Sequence, residues 1–205
     1  MQDKKDIVLV GYSGHGYVVY DAVLLGEQSI TSYCDYAEVS FNPFNLEYIG
    51  NEGSDSFDWS IDCDFALGLG DNKLRVKVGD YILSKNKNLI TVIHPKSIVS
   101  QYSTIGVGSF INVGAIINAF AKIGEMCIIN SAAVVEHECV LAKGVHIAPG
   151  TVLAGNVSIG ENSLIGANSV VRQGIKIGSN CTIGAGSVIV KDIADNSVVY
   201  GNPAK

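Results

Sequence analysis

Cationic side chains are scarce in this chain: 14 Lys and Arg stand against 20 Asp and Glu, for a formal net charge of −6 and a pI near 5.1. Nucleic acid and anionic membranes bind through clustered cation, so neither is expected as the main partner. Aromatics are also few, at 8%, which excludes a core of stacked rings. Glycine (23 residues) and small or branched aliphatics take their place, and mean hydropathy is +0.28. No apolar run reaches the roughly 18 to 20 residues of a membrane span. The opening MQDKKDIVLVG has no long apolar stretch before a small-residue cleavage site, so it does not read as a signal peptide. Cys34, Cys63, Cys127, Cys139 and Cys181 are widely spaced and form no CxxC pair. That spacing argues against a metal site and fits a reduced, cytoplasmic setting. A neutral or modestly anionic metabolite is left as the partner class.

The chain does carry a period. From Ile93 it can be written in sixes: IHPKSI, VSQYST, IGVGSF, INVGAI and so on to IGAGSV and IVKDIA, 17 hexads without an insertion. Every first position is Ile, Val or Leu, and every fifth is Ser, Ala, Cys, Thr, Val or Ile. One short strand and one tight turn take six residues, and three such sides close a coil of about 18. The pattern predicts a parallel β-helix of about five and a half coils over residues 93–205. First-position aliphatics point inward, fifth-position small residues fit the corners, and glycine at or near the second position relieves the turn.

Residues 1–92 read differently. Ile7–Val10 predicts a strand, followed by a glycine turn and a helix to about Leu25. SITSYCD offers a second strand ending at Asp35, DFALGL a third, then a helix from about Asn72, and NLITVIHP a fourth strand. Residues 36–60 read as a loop or irregular hairpin. Alternating strands and helices predict a small parallel α/β sheet of Rossmann type. The turn Gly11-Tyr12-Ser13-Gly14-His15-Gly16 lacks GxGxxG spacing, yet its N–H groups and the helix start suit a phosphate. Asp35 stands where a dinucleotide fold grips a ribose. About four strands are half the usual dinucleotide sheet, which favours a mononucleotide over NAD. The bland reading is a turn that only lets the helix pack.

The stretch VVEHEC, residues 134–139, puts His137 between two acids in an otherwise small and aliphatic run. His137 is third and Glu138 fourth in its hexad, so both face out, whereas Val135 and Cys139 point inward. Glu136, in second position, reads as a turn residue, and Cys139 is buried rather than nucleophilic. Gly155 comes one coil after His137, leaving room for a thioester and an N–H to steady an oxyanion. His146 follows His137 by nine residues, one and a half sides of the prism, so the two meet only across a subunit boundary. Asn130, in the segment before His137, is a weaker candidate for substrate contact. Asn112 and Asn118 read as polar strand-edge residues, and His94 as structural.

An α/β unit opening on GYSGHG and joined to a hexapeptide β-helix carrying VVEHEC resembles the bacterial PglD-type nucleotide-sugar acetyltransferases. These are UDP-4-amino-sugar N-acetyltransferases within the hexapeptide-repeat acyltransferases, related to the sialic acid O-acetyltransferases. The likeness spans nearly the whole chain. It implies a left-handed β-helix, a homotrimer, and acetyl-CoA as co-substrate in the cleft between neighbouring β-helices. It implies His137 as general base with Glu138 its partner, and His146 as a contact to the CoA chain or its acyl end. Gly14, His15 and Gly16 would meet the nucleotide, with Asp35 and Gly70, Asp71 and Asn72 lining the same pocket. The expected activity is acetyl transfer to the 4-amine of a nucleotide-linked dideoxy sugar, without metal. O-acetylation of a sialic acid and a non-catalytic nucleotide-sugar scaffold are the competing readings.

Overall fold

The computed structural model describes residues 5–205; residues 1–4, the head of the stretch without a signal-peptide pattern, lie outside the described residues. Strand β1 (Asp6–Val10) leads into helix α1 (Gly14–Leu25), then β2 (Ile30–Cys34), β3 (Glu47–Tyr48), β4 (Cys63–Leu67) and helix α2 (Asn72–Ser84). The sheet is parallel throughout, in the order β3-β2-β1-β4. β1 and β4 are apolar along nearly their whole length because helices and coil cover both faces of the sheet. Helix α1 buries Val19, Ala22 and Val23, an i, i+3, i+4 stripe.

Two expectations change here. NLITVIHP does not become the fourth strand of this sheet. Val92–Ile93 forms β5 and pairs with Phe110–Ile111 of the coil, and only an isolated Phe65–Leu89 bridge touches β4. The fourth strand is Glu47–Tyr48, inside the stretch expected to be loop or hairpin, and it runs parallel to β2. A strand of two residues is too short to leave an alternating pattern.

From β5 to β22 (Val198–Val199) the chain forms two-residue strands on three faces of seven, six and five strands, a three-sided parallel β-helix. From Ile111 to Ile189 every first-position aliphatic is at most 3% exposed. Each contributes on the order of 1.5–3 kcal/mol by burial. The fifth-position hydroxyls are buried too, but satisfied: Thr151 Oγ1 donates to the Gly166 carbonyl at 2.9 Å and Ser163 Oγ to that of Gly178 at 2.7 Å.

From Gly108 to Gly186 the left-handed residue of each turn is the fourth, not the second. Gly108, Gly114, Glu138, Asn156 and Asn168 all have φ between 56° and 71°. Second-position glycines serve another end, since a Cβ on Gly106 would lie 2.5 Å from the next coil's backbone. The period also shortens at the end of the coil. Ile193 pairs with Ile177 and Val199 with Ile183, both at 16-residue spacing, and Asp192 and Asp195 carboxylates accept the Lys176 and Ser179 N–H groups at 2.8 Å.

The α/β unit sits on the seven-stranded face. There the outward-facing Phe110 and Ile128 are buried with the apolar residues of α1 and β1. Gly79 of α2 lets the helix approach the coil, as a Cβ there would meet Met126 Sδ at 2.6 Å.

Candidate functional site

His137 stands on the corner between the strand Val134–Val135 and the strand Val140–Leu141. Its side chain is exposed, as is that of Glu138. Glu138 has φ of 61° where later coils of this column use Asn156 and Gly174. A non-glycine residue in that region costs roughly 1–2 kcal/mol. The cost coincides with a specific contact: Glu138 Oε2 lies 3.1 Å from His137 Nδ1. A carboxylate there holds the ring proton on Nδ1 and leaves the Nε2 lone pair free to accept another. The imidazole lies over Gly155: a Cβ built there would be 2.5 Å from Cε1 and 2.6 Å from Nε2. The Gly155 N–H has no partner among the described residues. An imidazole, a carboxylate bonded to it and a free N–H donor thus share one corner. One coil earlier the Phe120 ring is exposed and packs on Tyr102 at 5.9 Å between centroids.

The Cys139 thiol is fully buried and donates to the Ala154 carbonyl at 3.3 Å, with its pKa pushed up by burial. Among the described residues no cluster of His, Cys, Asp and Glu could hold a metal ion, and no helix is long and apolar enough to cross a membrane.

His146 occupies a different face. It follows Phe110 and Ile128 in the outward column of the seven-stranded face. Beyond it opens a cavity of ≈ 350 Å³, lined by Gly70–Lys73, His146, Asn162 and Thr182 among others. Asn130 sets the ring's tautomer. Its Oδ1 accepts the Ser131 N–H at 2.8 Å, so its Nδ2 faces His146 Nε2 at 3.2 Å and donates to it. Nε2 is therefore the acceptor, and Nδ1–H is left as a donor. Asn112 in turn donates to Asn130 Oδ1 at 3.0 Å, so these asparagines form a ladder behind His146.

Arg75, which the sequence reading missed, organises this side. Its guanidinium is 1% exposed and all five N–H groups are bonded. Nε donates to the Met126 carbonyl, the other nitrogens to Leu69, Gly70 and Gly144 carbonyls and to Asn72 Oδ1, at 2.8–3.2 Å. Burial lowers its pKa to about 10, which leaves it charged at neutral pH. The spacing Asn72, Arg75, Gly79, Ile82 marks the buried face of α2 and is the signal that could have found it.

His15 points toward this junction, its ring edge-on to Phe110 at 5.5 Å and its Nε2 buried without a partner. Burial first, then Arg75, lowers the pKa of His15 to about 4; for His146, burial, Arg75 and His15 lower it to about 3. The unfolded histidines protonate near pH 6.5, so between about pH 6.5 and 3 the unfolded chain binds more protons. This contribution is full above pH 6.5 and is lost as pH falls. The thermal midpoint should drop on acidification from pH 7 to 5, and a His15→Gln/His146→Gln variant should flatten that drop. An unchanged slope in the variant would refute the assignment.

The residues expected around a nucleotide are divided. Asp35 does not share a pocket with Gly70, Asp71 and Asn72: it lines a separate cleft of ≈ 240 Å³ with Gly11, Tyr36, Leu69, Leu74 and Val78. Its carboxylate accepts the Tyr12 N–H at 2.8 Å and the Tyr36 N–H at 2.6 Å, tying β2 to the glycine turn. Gly14 has open space where a side chain would be, so a ligand can approach. Gly16 is a packing glycine, since a Cβ there would lie 2.3 Å from the Gly11 carbonyl oxygen. Asp71 caps α2 by accepting the Leu74 N–H at 2.8 Å. The Asn72 amide is spent on the coil, donating to the Asn162 and Ser163 carbonyls at 3.0 and 3.2 Å.

Comparison with known proteins adds three findings. Residues 6–82 match the model of the PglD N-terminal domain, and residues 156–191 that of the hexapeptide repeat of succinyl-transferase. The acetyltransferase domain of PglB from Neisseria gonorrhoeae FA1090, solved with acetyl coenzyme A, is 33% identical with a TM-score of 0.92, over 98% of each chain. A variant of GDP-perosamine N-acetyltransferase from Caulobacter crescentus, solved with CoA and GDP-perosamine, is 30% identical with a TM-score of 0.89, over 98% of this chain and 95% of that one. PerB from the same organism, with the same ligands, is 31% identical with a TM-score of 0.88. No curated protein matches the chain.

Proposed function

The chain belongs to the hexapeptide-repeat acyltransferases that carry a PglD-type N-terminal domain, and on that premise we propose that it moves the acetyl group of acetyl-CoA onto the 4-amine of a nucleotide-linked dideoxy sugar. It is an acetyltransferase with acetyl-CoA as co-substrate, built on the family's left-handed β-helix. The observation that carries the finer reading is the His137–Glu138 pair above Gly155.

In the proposed reaction the neutral sugar amine attacks the thioester carbonyl and a C–N bond forms. The amine proton passes to His137 Nε2, whose Nδ1–H is held by Glu138. The Gly155 N–H donates to the oxyanion. As the intermediate collapses the C–S bond breaks, and the CoA thiolate takes the proton from the imidazolium. The buried Cys139 supports direct transfer without an acyl-enzyme. His146 would offer its Nδ1–H to an oxygen of CoA or acceptor, and Asp35 and Gly14 would meet the nucleotide.

The active unit in this reading is a cytoplasmic homotrimer. Tyr102, Val113, Phe120 and Val140 are exposed on the coil, which suits burial against a second copy. His137 and His146, too far round one prism to cooperate, would then be completed by a neighbouring chain. A CoA-release assay over nucleotide-linked amino sugars and free sialic acid tests the proposal. Release with an amino sugar, with the product acetylated on nitrogen, is expected. Release with sialic acid alone overturns it.

A further inference from the structure

We propose that the nucleotide half of the acceptor carries guanine, with its Watson–Crick edge bound by Glu52 and Asn51. The inference rests on the nucleotide reading given above.

The Asp35 cleft does not end at the ribose position. It shares Tyr36, Asn51, Glu52, Leu74 and Val78 with a second hollow of ≈ 420 Å³ that also reaches Lys77 and Tyr81. Tyr36 is 87% exposed and Leu74 47%, so the walls offer bare apolar surface of the kind a flat ring covers. A base attached to a ribose at Asp35 would enter this slot.

Its polar edge is specific. Glu52 Oε2 is buried and has no hydrogen-bond partner. An ionised carboxylate only accepts, so N–H donors must come from a ligand. The two candidates nearby within the chain do not satisfy Oε2. Lys77 makes no ion pair with Glu52 among the described residues, and the Cys34 thiol, which hydrogen-bonds to the Glu52 carboxylate, still leaves Oε2 without a partner. Asn51 lies next in sequence. Its Oδ1 accepts the Gly53 N–H at 2.8 Å, which fixes the amide and leaves Nδ2–H as a free donor.

A carboxylate beside an amide donor is the complement of guanine. Guanine places two N–H donors, N1–H and N2–H, side by side with the O6 acceptor adjoining. Uracil and thymine offer one N–H flanked by two carbonyls, which would face the carboxylate. Adenine and cytosine offer a single amino group. Charge-assisted bidentate pairing is the strong form of this contact.

Titration calorimetry of the intact protein with GDP, UDP, dTDP and ADP tests the assignment. GDP is expected to bind about 10- to 100-fold tighter than the others, the range of one good bidentate base contact. Glu52→Gln should bring GDP to the level of UDP without changing the melting profile. UDP, dTDP or ADP binding as tightly as GDP overturns the guanine assignment, as does a Glu52→Gln protein that keeps the preference. If none of the four binds, the nucleotide reading itself fails.

Discussion

His137→Ala is expected to slow acetyl transfer by about 10²- to 10⁴-fold, the usual span for removing a positioned general base. KM for acetyl-CoA should change little, because in the proposed reaction the imidazole acts on the proton of the attacking amine rather than on binding. Gly155→Ala supplies the companion test, acting on the histidine without removing it. The added methyl would sit 2.5 Å from Cε1 and 2.6 Å from Nε2 of His137. The ring is the exposed end of a rotatable side chain, so it swings aside and folding suffers little. A displacement of about 1 Å is enough to cost on the order of 10²-fold in rate. The expected signature is two slow variants with wild-type melting profiles and intact acetyl-CoA binding. A His137→Ala protein that transfers acetyl at the wild-type rate would leave the corner as a scaffold feature and remove the base from the mechanism.

Much of this corner was legible before any coordinates, for a geometric reason. A six-residue period assigns every side chain a direction, so Val135 and Cys139 inward and His137 and Glu138 outward follow from register alone. The stacking of Gly155 on His137 follows from the 18-residue coil. The same period also shows which fold must form, because 17 first-position aliphatics have no other common place to go. What stayed hidden has no period. Glu47–Tyr48 is a strand only because β2 offers it an open edge. Glu52 lies in an irregular loop, and nothing in NEGSDS tells which acid turns inward. Asp35 lines a cleft with Leu69 and Leu74 while Asn72 lines another with His146, a matter of packing rather than spacing. Arg75 reads as one more cation among Lys73 and Lys77 until the stripe with Gly79 and Ile82 is drawn.

That arginine gives the largest stability effect expected of a single substitution. Arg75→Met should destabilise the protein by about 3–5 kcal/mol, the scale for removing one side of a buried charged network. The loss lies in what remains. Carbonyls of Met126 and Gly144 and the Asn72 amide oxygen would be left buried without donors, and those of Leu69 and Gly70 would lose theirs in a more exposed place. Each unpaired acceptor costs roughly 1–3 kcal/mol before relaxation and entering water reduce the total. Arg75→Lys keeps the charge but has three donors for five acceptors, so a smaller loss is expected. The bonds join α2 to two successive coils, so the damage should also show as lost coupling. Trp59, the one tryptophan, reports on the α/β unit, and amide hydrogen exchange of the two-residue strands reports on the coil. In urea the two probes should move together for the wild type. In Arg75→Met the Trp59 transition should come at clearly lower urea than the loss of protection of the coil amides. Coincident, unshifted transitions would mean that apolar packing of Phe110, Ile128 and Met126 alone holds the unit to the coil.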